Sequence, residues 1–115
     1  MRRRDVLAGA AALGATLPAA AAAPTRVVAL EWSIVSMLLS LGVPPVGMPE
    51  IAAYRRWVVA PPVPAGVADL GVKTEPNLEA IAALRPDLVL ASPLNRAIVP
   101  LLSQIAPVRE IGIYL

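Results

Sequence analysis

The chain has 115 residues, 57% of them hydrophobic, a formal net charge of +2, and neither cysteine nor histidine. Those two absences exclude disulfides, a lipid-bearing cysteine, Cys nucleophiles, Ser–His pairs, His general bases and zinc sites of the usual ligands. Beyond residue 23, seven Lys/Arg face seven Asp/Glu. The pI of about 9.7 is therefore a property of the N-terminus, and no basic stripe argues for nucleic acid.

Arg2, Arg3, Arg4 and Asp5 precede a run of small apolar residues (6–17) and an alanine tract (19–23). A basic head, a short apolar middle and small residues at the cleavage point make a secretory signal. The run is shorter than the ~20 apolar residues that a membrane span needs. The order Arg3-Arg4-Asp5-Val6-Leu7 resembles the twin-arginine export signal, and the Ala/Gly-rich middle fits that route. The expectation is a signal peptide over residues 1–23, read at Arg3 and Arg4 by the twin-arginine export machinery. The mature domain, 24–115, is then expected to be soluble in the periplasm without a lipid anchor, as a monomer.

The mature length suits one small domain, burying roughly 60–65% of its unfolded surface. Residues 26–30, RVVAL, read as a buried strand, and residues 33–41 as a helix capped by Ser33 and ended by Gly42. A short strand over 44–48 follows a Pro-Pro turn. Residues 51–59 are open between a helical turn and a loop, and 60–66, with three prolines, form an extended surface loop.

The stretch 69–92 is the most informative. A turn with Gly71 and Lys73 runs into Pro76 and Asn77, a helix cap, and Leu78, Ile81, Ala82 and Leu84 share one face of the helix that follows. Pro86 stops that helix, and 87–92 is a nearly all-apolar run typical of a strand buried on both faces. A helix over 97–105, interrupted or started by Pro100, and a strand over 108–114 complete the pattern.

Strand and helix alternating in this way predict an α/β fold: a Rossmann-like lobe whose mainly parallel sheet is flanked by helices on both faces. In such layers polar groups at strand-to-helix turns face ligands. Neither early strand is followed by a glycine-rich phosphate loop, which argues against a nucleotide-binding enzyme domain. No acidic cluster at metal-ligand spacing is visible, so any iron should arrive wrapped in an organic chelator. The chain ends at Leu115 directly after a strand, which reads as one lobe of a two-lobe protein, truncated, or as a non-functional remnant.

The pieces VALEW (28–32), YRRWV (54–58), PPVP (61–64) and GVKTEPNLEAI (71–81) resemble the periplasmic ferric hydroxamate siderophore-binding proteins of ABC importers. The NLEAI-x-x-L-x-PDLV portion is shared with cobalamin, haem and catecholate-siderophore binders, which remain the alternatives. The resemblance implies a substrate-binding protein, not an enzyme, of which this is the first of two lobes. It would need no cofactor, iron being bound as the ferric siderophore complex. It also implies roles by position. Lys73 stands where the family has an arginine that donates to the hydroxamate oxygens, and Trp57 matches an aromatic wall of the pocket. Asn95 stands in place of a ligand-contacting tyrosine, and Glu79 matches an acidic residue that docks with the inner-membrane permease. Glu31 and Trp32 sit at the end of the first strand, touching ligand or packing beneath it.

Overall fold

The computed structural model describes residues 25–112; the signal segment and the export pair Arg3 and Arg4 lie outside them. Five strands form one parallel sheet in the order β3-β2-β1-β4-β5. They are β1 (Val27–Ala29), β2 (Gly47–Met48), β3 (Ala68–Asp69), β4 (Leu88–Ala91) and β5 (Val108–Glu110). Between them run α1 (Trp32–Ser40), α2 (Ile51–Trp57), α3 (Leu78–Ala83), a 3-10 segment (Pro93–Ile98) and α4 (Val99–Leu102). The expected α/β lobe is therefore present.

β1 is the centre of the sheet. It pairs with β2 through Val28 and Gly47 and with β4 through Val27–Leu88, Val28–Val89 and Ala29–Leu90. Its side chains alternate between two cores, as a pleated strand buried on both faces requires. Val28 and Leu30 join Leu70, Ile81, Val89, Ala91, Leu102 and Ala106 on the face covered by α3 and α4. Ala29 points the other way, into Ile34, Val35, Met48, Ile51, Tyr54 and Val63 beneath α1 and α2.

Local chemistry explains most boundaries. The Asn77 side chain accepts from the Ala80 N–H at 3.0 Å, capping α3 as expected. The helix closes at Leu84, Arg85 turns left-handed at φ 50°, and Pro86 forbids continuation. Arg26 donates from Nε and Nη2 to the Leu84 carbonyl at 2.9 and 2.6 Å, filling an acceptor that the helix end leaves open. Asp87 Oδ2 accepts from the N–H groups of Thr25 and Arg26 at 3.0 and 2.9 Å, tying the start of β1 to the start of β4.

Several expected boundaries need correction. α1 begins at Trp32 with Glu31 in the cap position, so Ser33 lies inside the helix and caps nothing. Residues 51–57 are helical, which resolves the open segment. Residues 97–105 are not one helix, because Pro100, lacking an N–H, sits in the first turn of a new short helix that follows the 3-10 segment. The second strand is confined to Gly47 and Met48. The last strand ends at Glu110, and residues 113 and 114 of its expected span lie outside the described residues. β3 was not anticipated at all.

Candidate functional site

Because every strand runs the same way, all five carboxyl ends open on one edge of the sheet. The strand order reverses between β1 and β4, and polar groups following these two strands meet there, where open α/β sheets place ligands. Glu31 follows β1, Ser92 and Asn95 follow β4, and the β3–α3 connection carries Lys73 and Thr74 across to them. Together with Leu30 and Leu94 they line one shallow hollow.

Lys73 is its centre. Its Nζ lies 3.9 Å from Glu31 Oε1 and 4.1 Å from the centroid of the Trp32 ring. The aromatic face attracts the ammonium and the carboxylate offsets its charge. Glu31 is only 4% exposed, so this carboxylate is held in the protein rather than on its surface. The Trp32 ring is fixed in turn: its Nε1 donates to the Pro49 carbonyl at 3.1 Å, and it meets Tyr54 edge-on at 5.9 Å and 86°. Tyr54 is fully buried, and its hydroxyl bonds to the Ser36 hydroxyl at 3.0 Å and the Pro61 carbonyl at 3.3 Å.

The main chain of Lys73 is gripped from both sides. Its N–H donates to Glu50 Oε2 at 2.8 Å, and its carbonyl accepts from Asn95 Nδ2 at 3.2 Å. Glu50 occupies the left-handed region at φ 50°, and its own N–H donates to the Gly71 carbonyl at 3.0 Å. Asp69 adds a further tie, accepting from the Gly71 and Ile51 N–H groups at 2.8 and 3.1 Å. Three strand ends thus hold one connection in place.

The structure brings together Lys73, Glu31, Trp32 and Asn95. Asn95 is 2% exposed and bonded to Ser92 as well as to Lys73. Its amide donates to the Lys73 carbonyl, so at the inner wall of the hollow it positions the lysine connection. The ring beside Lys73 belongs to Trp32; Trp57 ends α2 with 73% of its surface exposed. Glu79 is exposed in the first turn of α3, off the face that Leu78, Ile81 and Leu84 turn to the core. Sequence reasoning missed Glu50. The available signal was chemical: Glu is a poor residue for a helix cap, yet it holds that position in both α1 and α2, and neither side chain caps. Both carboxylates are turned to Lys73 instead.

Among the described residues no group of three or more His, Cys, Asp and Glu could hold a metal ion. Within the same residues no helix is long and apolar enough to cross a membrane.

Comparison with known proteins bears on the family and the fold. A family model described as periplasmic binding protein matches residues 27–111. The chain is 44% identical over 94 residues to the iron(3+)-hydroxamate-binding protein FhuD of Escherichia coli, covering 82% of this chain and 32% of that protein. It is 39% identical over 89 residues to the Fe(3+) dicitrate-binding periplasmic protein FecB of the same organism, covering 74% and 29%. Among solved structures, the Fe3+–Desferal-bound siderophore-binding protein FhuD of Vibrio cholerae superimposes with a TM-score of 0.74 at 48% identity, covering 76% of this chain and 33% of that one. The chain spans about a third of the length of the relatives it matches.

Proposed function

The chain belongs to the periplasmic binding protein family, and from that membership we propose that it serves an ABC importer by capturing a ferric hydroxamate siderophore. The observation that carries this reading is Lys73, a cation poised on an aromatic ring at the carboxyl edge of the sheet. It stands ready to donate to the oxygens of a chelate. The similarity to two proteins named for hydroxamate or Desferal binding supports the choice of ligand. The ferric ion is cargo, wrapped in its siderophore, and the chain contributes a cation, a ring and a shape without a cofactor or catalysis. Trp57, exposed on α2, adds a second aromatic surface to a bound chelate. Glu79 meets basic residues of the inner-membrane permease. In this reading the chain is exported by the twin-arginine route and, having no cysteine, works as a soluble monomer without a lipid anchor.

Titration of the full chain with ferric desferrioxamine, followed by tryptophan emission, tests the proposal. Saturable quenching is expected. Lys73→Ala should weaken binding by about 1.5–3 kcal/mol, the scale of a hydrogen bond to a charged group, and Lys73→Arg should retain it. Unchanged affinity in Lys73→Ala would remove Lys73 from the site.

A further inference from the structure

We propose that Glu31 is a specificity-determining residue that makes the site select uncharged or cationic ferric chelates and reject anionic ones. The inference rests on Lys73 being the cation that meets the ligand. Two described cations stand at the carboxyl edge near the hollow, and each already has a carboxylate. Lys73 has Glu31 at 3.9 Å, and Arg96 is gripped by Glu110 through Nε–Oε1 at 3.0 Å and Nη2–Oε2 at 2.6 Å. The two pairs differ in kind. Glu110 is one-third exposed and open to screening by water, whereas Glu31 is buried at the end of the central strand and lines the hollow itself.

A buried carboxylate beside the ligand's cation has a defined electrostatic consequence. It leaves the lysine able to donate hydrogen bonds while cancelling most of the attraction that a free ammonium would exert on a distant negative charge. A neutral chelate loses little, because its oxygens need local donors. A chelate with a free ammonium gains a second attraction. A chelate with uncompensated carboxylates meets Glu31 at short range and is repelled, which is specificity achieved by penalising the wrong ligand. Glu31 is not kept for helix stability. It sits in the cap position of α1 without capping it, and a Ser, Asn or Asp there would serve α1 better.

The test uses the full chain and two chelates of opposite charge: ferric desferrioxamine, whose free amine makes it cationic, and ferric dicitrate, which is anionic. Affinities are read from tryptophan emission. The parent should prefer the desferrioxamine complex, and Glu31→Gln should narrow that preference about 10-fold or more, the scale for one charge a few ångströms away in a protein-like dielectric. Glu31→Asp, which keeps the charge, should preserve it. Should Glu31→Gln fail to fold, Lys73→Gln offers the opposite arm: removing the cation while keeping the Glu31 carboxylate should widen the preference. An unchanged ratio in a folded Glu31→Gln, or a narrowed one in Lys73→Gln, overturns the inference while leaving ferric chelate capture intact. A parent that binds neither chelate overturns chelate capture and the inference with it.

Discussion

The side-chain amide of Asn95 donates to the carbonyl of Lys73 at 3.2 Å, so a residue after β4 sets the position of a residue after β3. The same side chain accepts from the Ser92 N–H at 3.0 Å, which makes it a brace between two strand ends. Asn95→Ala leaves a buried N–H and a partly buried carbonyl without partners, each costing about 1–3 kcal/mol. A loss of stability in that range is expected in urea unfolding. An unchanged midpoint would show that water replaces the amide.

Glu50 makes the complementary bond, accepting the Lys73 N–H at 2.8 Å. Glu50→Gln keeps an acceptor of the same reach and should retain the environment of Trp32, whereas Glu50→Ala should release the lysine connection. The emission of Trp32, recorded in a Trp57→Phe background, reports the difference. Identical spectra for Gln and Ala would mean that the carboxylate does not position Lys73.

Asp87 gives a pH dependence with a definite sign. The N–H groups of Thr25 and Arg26 and the Thr25 hydroxyl hold its carboxyl below the ordinary 3.8. A depressed folded value stabilises the fold fully above the unfolded value, and the stabilisation is lost as pH falls through the folded one. Parent and Asp87→Asn should therefore differ most at neutral pH and converge in acid, below about pH 4. Paired urea titrations at neutral and acid pH check this, and a constant gap would contradict it.

Glu79→Arg separates delivery from capture. The residue is exposed on α3 and turned away from the core, so the variant should fold and bind ferric desferrioxamine as the parent does. It should nonetheless fail to support uptake in cells, since reversing a rim charge impairs association with a charged partner. Normal uptake would remove the docking role.

Export is tested by fractionation. Replacing Arg3 and Arg4 with Lys should stop processing if the guanidinium pair is what the twin-arginine machinery reads. A Lys–Lys variant that still matures normally would exclude that route.

Legibility in the sequence followed the physics of each segment. The central strands were readable because strands buried on both faces are continuous apolar runs, as RVVAL and DLVLAS show. α3 was readable because Asn77 and Pro86 punctuate it. β3 was not: Ala68 and Asp69 are only two residues, one half-buried and one exposed, and carry no periodicity to detect. Lys73 was found through the family resemblance, and Glu31, Trp32 and Asn95 were named beside the cleft, but their contacts with Lys73 and the part of Glu50 were not foreseen. Whether Trp32 or Trp57 would face the lysine depends on how α1 and α2 pack against β1 and β2, which residue spacing does not encode. Asn95 was assigned to the ligand because it stands where the resembled family has a ligand-contacting tyrosine. A short amide side chain beside a 3-10 turn instead bonds inward, as Asn commonly does next to its own backbone.

The β1–β4 pairing has a kinetic consequence. It joins residues about sixty apart, Val27 to Leu88 and Ala29 to Leu90, while the β1–β2 and β2–β3 pairings link near neighbours in the chain. High sequence separation at the middle of the sheet raises contact order and slows folding. The flank β1-α1-β2-α2-β3 has all its residues before β4 emerges, yet one side of β1 stays unpaired until β4 arrives. Amide exchange should carry the same imprint: the β1 and β4 hydrogen bonds should open last, and the two-residue β3 at the sheet's edge should open early.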